Sequence, residues 1–192
     1  MTFEKIAEFE QALAKFTDAP YAVMTDCCTH AIELCLRFDR VKRCFIPART
    51  YLSIPMTLHK LDIEYDYQDW EWLGEYHIGH TRIWDSARLL KEGMYRSGQL
   101  QCLSFGFDKP LSIGRGGAIL TDDVEVYDTL KHQCYDGRDL SISPWENQKI
   151  FRMGYHYRPT IEEAMRGLEL LSTVDQEPKY KEYPDLRNLS FI

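Results

Sequence analysis

Short apolar runs of strand length alternate with segments of helical period along most of this chain. A chain so patterned buries both kinds of element by laying helices over the faces of a sheet. From Phe3 to Phe16 the apolar residues Ile6, Phe9, Leu13 and Phe16 recur every three or four positions, predicting a helix that Asp18-Ala19-Pro20 ends. Tyr21 to Thr25 reads as a buried strand, and Ala31, Leu34, Cys35 and Phe38 set a second helical period from Cys28. The order repeats with a strand at Cys44 to Pro47 and a helix from Ser53 towards Lys60, with Pro55 tolerated in its first turn. Further strands are expected near Asp62 to Asp66, at Arg82 to Asp85, at Gln101 to Phe105 and at Ala118 to Thr121. One helix follows Asp122-Asp123, and another opens at a Thr160-x-x-Glu163 capping box. The tail from Gln176 is polar, holds Pro178 and Pro184, and reads as a strap or a frayed end. The expected architecture is α/β, a three-layer α/β/α sandwich on a mostly parallel sheet, with residues 1–175 as the domain and 176–192 as a C-terminal tail.

With 192 residues, 44% of them hydrophobic, the chain is long enough for one sizeable core. Lys and Arg total 23 against 30 for Asp and Glu, a formal net charge of -7 that opposes binding to nucleic acid or to an anionic membrane. No apolar run reaches the roughly 20 residues that span a bilayer. The start, Met1-Thr2-Phe3-Glu4-Lys5, lacks the basic and apolar stretches of a leader, so a cytoplasmic location is expected. The six cysteines form no Cys-x-x-Cys pair and mostly lie in apolar stretches, as reduced core thiols do. His77 and His80 are separated by Gly79 and one other residue, and no third ligand is evident, so no metal site is expected.

In open α/β sheets ligands bind beyond the carboxyl ends of the strands, and polar clusters fall there. Asp26-Cys27-Cys28-Thr29 follows the first strand, Thr50-Tyr51 the second, Asp85 a middle one, and Ser104 to Lys109 a later one. Taken singly, these residues read as a helix cap, a core tyrosine, a partner of Arg88 and a solvated loop lysine. Together they meet the needs of pyridoxal 5'-phosphate. That cofactor requires a lysine, a carboxylate to keep the pyridine nitrogen protonated, an aromatic face and a helix N-terminus for its phosphate.

The order of these motifs resembles the DegT/DnrJ/EryC1/StrS family of pyridoxal-phosphate sugar aminotransferases, whose large domain has the fold type I architecture. Thr25-Asp26-Cys27-Cys28-Thr29-His30-Ala31 is similar to the family's Ser-Gly-Thr phosphate turn, which implies phosphate contacts from Cys28 and Thr29. Ile46-Pro47-Ala48-Arg49-Thr50-Tyr51 resembles the Pro-x-x-Thr-aromatic segment, which implies that Tyr51 stacks on the cofactor ring. Trp84-Asp85-Ser86-Ala87 resembles the stretch whose carboxylate meets the pyridinium nitrogen. Ser104-Phe105-Gly106-Phe107-Asp108-Lys109 resembles the one that delivers the Schiff-base lysine, so Asp85 and Lys109 are the implied catalytic pair and Ser104 a phosphate ligand. Gly114-Arg115-Gly116-Gly117, then Gly137-Arg138-Asp139, then Gly154-Tyr155-His156-Tyr157-Arg158 follow in the family's order. The resemblance implies a homodimer in which His156 and Arg158 cross to the neighbour's cofactor region. It further implies a nucleotide-linked keto sugar, or another small keto compound, and an amino donor as partners.

The departures from the family pattern carry expectations of their own. Cys28 stands where the phosphate turn has glycine, Asp26 must point away from a phosphate dianion, and Arg88 replaces a neutral or imidazole residue near the cofactor's phenolic oxygen, where a guanidinium stabilises a phenolate. Against the family, the stretch between Leu61 and Ile83 is expected to lack a strand and a helix, and a sequence that stops soon after Leu171 is expected to lack the small domain. Two alternatives to an aminotransferase stay open: a non-catalytic protein that keeps the fold and the cofactor for binding or assembly, and a plain structural α/β module.

Overall fold

The structure is a computed structural model that describes residues 3–190. Met1 and Thr2, on which the expectation of no leader partly rests, and the last two residues of the tail lie outside the described residues. The elements run α1 (Glu4–Thr17), β1 (Tyr21–Thr25), α2 (Cys28–Phe38), β2 (Arg43–Pro47), α3 (Ser53–Lys60), β3 (Glu64–Gln68), β4 (Tyr76–His77), β5 (Ile83–Asp85), β6 (Leu100–Ser104), β7 (Gly117–Thr121), α4 (Val124–Cys134) and α5 (Ile161–Leu170). Local chemistry sets several boundaries. Asp18 turns left-handed at φ 59° and ends α1. Asp123 caps α4 by accepting from the Glu125 and Val126 N–H groups, and Thr160 and Glu163 close both hydrogen bonds of the capping box on α5.

The five-stranded sheet has the order β1-β7-β6-β5-β4, while β2 and β3 form a separate parallel pair. A bridge between Phe45 and Gly79 docks that pair on the turn after β4. The α/β sandwich is as expected, but its sheet is mixed where a mostly parallel one was predicted. β5 and β6 pair in parallel, whereas β7 is antiparallel to both β1 and β6, and β4 is antiparallel to β5. The cause is connection length and content. Parallel neighbours need a crossover, usually helical, yet β4 turns into β5 within a few residues at His80, and no helix joins β6 to β7. β1, β5 and β6 still share one direction.

Alternation along the strands sorts the core into two layers. Val23, Cys102 and Ile119 face a cluster with Ala31, Leu34, Val126 and Leu130 from α2 and α4. Their neighbours Met24, Leu103 and Leu120 face a cluster with Ile6, Phe9, Leu13 and Ala164 from α1 and α5. All six cysteines are free thiols, and five are buried. Among the described residues no helix is long and apolar enough to cross a membrane.

Register places the polar strand ends together. Thr25 and Ser104 both pair with Gly117, and Asp85 pairs with Cys102, so β1, β5 and β6 end on one edge of the sheet. A Cβ on Gly117 would lie 2.5 Å from the Cys28 nitrogen, so only glycine lets β7 pass beneath the start of α2.

Candidate functional site

Beyond that edge lies a cavity of about 370 Å³ lined by residues of α2, the segments after β2, β5 and β6, and the C-terminal tail. Asp85 is buried at its floor, where its two oxygens accept from the Tyr76 hydroxyl at 2.9 Å and the Ala87 N–H at 3.0 Å. The Tyr76 proton is thus committed to Asp85, so the Thr50 hydroxyl donates to Tyr76 across 2.7 Å. Burial pushes the Asp85 carboxyl above the usual range, against the pull of these donors and of Lys109. Among the described residues Asp85 has no ion-pair partner within 4.0 Å. A buried carboxylate of this kind is best matched by a ligand that brings its own cationic N–H.

Lys109 lines the same cavity with its side chain 15% exposed, 4.0 Å from the Asp108 carboxylate. Burial, then the like charge of Arg88, hold its ammonium below the usual lysine range, while Asp108 and Asp85 oppose the shift. A lysine so placed is readier than a surface lysine to act as a neutral nucleophile or base. Arg88 is buried and engaged: it donates to Asp108 Oδ2 at 3.1 Å, to the Asp108 carbonyl at 3.3 Å and to the Lys179 carbonyl at 3.0 Å. Burial disfavours the Asp108 carboxylate, but hydrogen bonds from Lys181 and Arg88 outweigh it and bring the group down to about 2.

α2 begins without a side-chain cap and without an acid in its first turn, a start whose N–H groups are suited to meet an anion. Cys28, Thr29, Tyr51 and Ser104 line the cavity around it. The Thr29 hydroxyl bonds Ser53 at 2.8 Å, and Tyr51 is 59% exposed, with a face available to a ligand ring. Burial pushes the Cys28 thiol well up, so it packs there as a neutral group. Asp26 turns aside as its charge requires: it meets His30 Nδ1 at 2.7 Å and Arg115 Nη2 at 2.9 Å. Asp26, Cys27 and His30 thereby bring a carboxylate, a thiol and an imidazole within 4.8 Å of one another, a grouping not singled out from sequence.

The chain therefore brings together Cys28, Thr29, Tyr51, Asp85, Arg88, Ser104 and Lys109, and leaves His156 and Arg158 elsewhere. Those two line a separate cleft with Phe3 and Thr160, and His156 pairs with Asp136 at 2.9 Å. His77 Nε2 donates to the Thr81 carbonyl at 2.6 Å and the ring stacks on Trp84, while His80 meets the edge of Phe45. Sequence reasoning missed Tyr76, Trp72, Lys181 and Tyr183 as site residues. Tyr76 sits in an acidic and aromatic stretch with no readable period, and the tail residues reach the cavity only through long-range packing.

The DegT/DnrJ/EryC1/StrS aminotransferase family model matches residues 1–64 and 92–183. The chain belongs to this family. Lys109, Ser104 and the start of α2 fall inside the matched spans, whereas Asp85 and Arg88 fall in the gap between them and owe their place to the geometry above. No curated protein sequence matches the chain. Solved structures with the family fold align along most of it. The aminotransferase PseC of Helicobacter pylori, involved in pseudoaminic acid biosynthesis, superposes with a TM-score of 0.72 at 15% identity, over 88% of this chain and 57% of its own. The sugar aminotransferase CalS13 of Micromonospora echinospora gives 0.72 at 15%, over 88% and 61%. A mutant of the GDP-4-keto-6-deoxymannose-3-dehydratase ColD with bound GDP-perosamine gives 0.70 at 16%, over 90% and 61%. At these identities the likeness is one of fold, and the chain spans 57 to 61% of those proteins' length.

Proposed function

We propose that the chain is an aminotransferase-like protein that holds pyridoxal 5'-phosphate on Lys109 and transfers an amino group to a keto sugar, nucleotide-linked as in the GDP-perosamine complex of the ColD mutant. The observation that carries this reading is the pairing, in one cavity, of a buried carboxylate with no ion-pair partner among the described residues and a half-buried lysine of lowered basicity. Its donor set fits the cofactor. Asp85 would hold a proton at the pyridine nitrogen, the α2 N-terminus with Thr29 and Ser104 would take the phosphate, and Tyr51 would cover the ring. When bound, the cofactor supplies an electron sink for the carbon that gains or loses the amino group. Lys109 Nζ would move the proton on and off that carbon as base and then acid, and Asp108 beside it helps to hold the lysine near the reacting centre. Tyr76 and Thr50 fix the Asp85 carboxylate and leave it little freedom to rotate. Two copies of the chain would share each site, with His156 and Arg158 reaching the neighbour's phosphate side.

A second reading, cofactor binding without turnover, is favoured by Arg88, which is committed to Asp108 and Lys179 instead of standing free at the cofactor's oxygen. Borohydride reduction of the protein with added pyridoxal phosphate, followed by peptide mapping, tests the first step: the adduct is expected on Lys109, and its appearance mainly on other lysines overturns the site. Bleaching of the visible band by an amino donor such as glutamate then separates turnover from mere holding. Asp85→Asn should leave the adduct and slow the bleaching, because an amide cannot hold the pyridinium proton by charge.

A further inference from the structure

The segment after α5 runs back over the Lys109 cavity and is tied down at successive residues. The Gln176 side chain accepts the Glu92 N–H at 2.9 Å, and Pro178 packs on Gly74, where a Cβ would lie 2.7 Å from the proline's own. The Lys179 N–H donates to the Arg88 carbonyl at 2.9 Å, and Arg88 Nε donates back to the Lys179 carbonyl. Lys181 Nζ reaches Asp108 at 2.9 Å, Asp185 lies 3.4 Å from Arg49, and Leu186 is buried with its N–H on the Ala48 carbonyl at 2.9 Å. Between these anchors Tyr183 is half-buried, stacked on Trp72 at 5.8 Å and edge-on to Tyr51 at 6.5 Å.

One side of Tyr183 forms a wall of the Lys109 cavity. Together with Trp72 and Lys181 it also lines a second, open groove of about 830 Å³ that continues past Trp70 and Tyr180. The aromatic ring therefore stands between a small reactive pocket and a larger space beside it. Its anchors lie on both sides of it, buried Leu186 and Pro178 on Gly74 as well as hydrogen bonds and ion pairs, so the ring is held in place as a wall.

We propose that Tyr183 is the specificity-determining residue of the Lys109 cavity, a wall carried by the C-terminal segment that limits how far a bound carbonyl compound extends into the adjoining groove. This rests on the reading of the cavity as the amino-transfer site. At about 370 Å³ the cavity is at the small end of the ~300–1,000 Å³ range for small-molecule sites, so a bulky compound must displace Tyr183 or be excluded.

The test labels Lys109 in the full chain with two aldehydes of different bulk, pyridoxal phosphate and periodate-oxidised ADP, each trapped with borohydride and located by peptide mapping. Tyr183→Ala is expected to raise labelling by the dialdehyde on the order of tenfold relative to pyridoxal phosphate, the discrimination a shape-selective wall commonly supplies. Tyr183→Phe should keep the wild-type ratio, because the ring and not the hydroxyl forms the wall. Equal increases with both aldehydes in Tyr183→Ala, or no change in either, overturn the proposal. Acrylamide quenching of Trp72, taken as the difference from Trp72→Phe, gives a readout independent of Lys109 chemistry. It should rise in Tyr183→Ala and stay low in Tyr183→Phe, and an unchanged value counts against the wall. Adducts confined to other lysines would instead sink the amino-transfer reading, and the quenching result would then decide the wall alone.

Discussion

At the residue scale, the charges around the start of α2 make stability depend on pH in a definite direction. Burial works against the His30 imidazolium, but its hydrogen bond to Asp26, a contact with Cys27 and the nearby negative charge outweigh burial and raise the group from 6.5 to about 9. A group raised on folding adds stability that is fully present below its unfolded value and is lost as pH climbs through the folded one. The contribution of His30 should therefore be complete below about pH 6.5 and gone above about pH 9. Thermal unfolding of the wild type and His30→Gln at pH 6 and at pH 9.5 checks this: the gap between the two proteins should be wide at the lower pH and close at the higher. A gap that stays constant with pH would place the effect in the stacking of His30 on Tyr157, at 3.7 Å, and not in its proton. The same contacts explain how an aspartate is tolerated in the turn proposed to take the phosphate, since His30 and Arg115 hold it turned away.

At the scale of elements, α5 is held by a capping box at its start and by a glycine at its contact with α1. A Cβ on Gly167 would lie 2.6 Å from Phe9, which is fully buried and edge-on to Phe105 at 5.7 Å. Gly167→Ala gains about 1 kcal/mol of helix propensity, yet overpacking against a locked ring costs about 1–3 kcal/mol. The variant should thus be neutral to about 2 kcal/mol less stable in chemical denaturation, and a clear gain in stability would mean that Phe9 moves freely. Thr160→Ala, which leaves the first turn of α5 uncapped, should cost about 1 kcal/mol in the same assay. These two sites also mark what a sequence discloses. The capping box and the helical stripes were legible because their signals are local: Thr160 and Glu163, or Ile6, Phe9 and Leu13, lie within a turn or two of one another. The strand ends around Asp85 and Lys109 were legible because polar residues interrupt apolar runs there. β4, the reversal of β7 and the tie of Lys179 to Arg88 were not, since each depends on contacts between distant residues that leave no period or cap behind.

At the scale of the whole molecule, the chain supplies a floor, a lysine and one wall, and leaves two residues expected at the phosphate on a separate surface. His156 has 69% of its side chain exposed, Arg158 is exposed beside it, and both precede the Thr160 cap, which fixes where the segment can point. The face near Lys109 also carries Phe107 at 87% exposure, while Ile150 and Met153 stand at 83% and 76% just before the His156 segment. Large apolar side chains left in water on both features suit a surface that another copy covers. In the proposed two-fold assembly each site takes Lys109 and Asp85 from one copy and His156 and Arg158 from the other, and isologous contacts make both sites alike. Lys109→Ala and Arg158→Ala therefore damage different halves of the same site. Mixed and allowed to exchange, the two variants form heterodimers in which one site carries both changes and the other carries none. Trapping of pyridoxal phosphate by the mixture should exceed the average of the separate variants and approach one intact site per heterodimer. A mixture that only averages its components, from a chain that sediments as a monomer at micromolar concentration, would dismiss the shared site and leave the tail as the cover of each cavity.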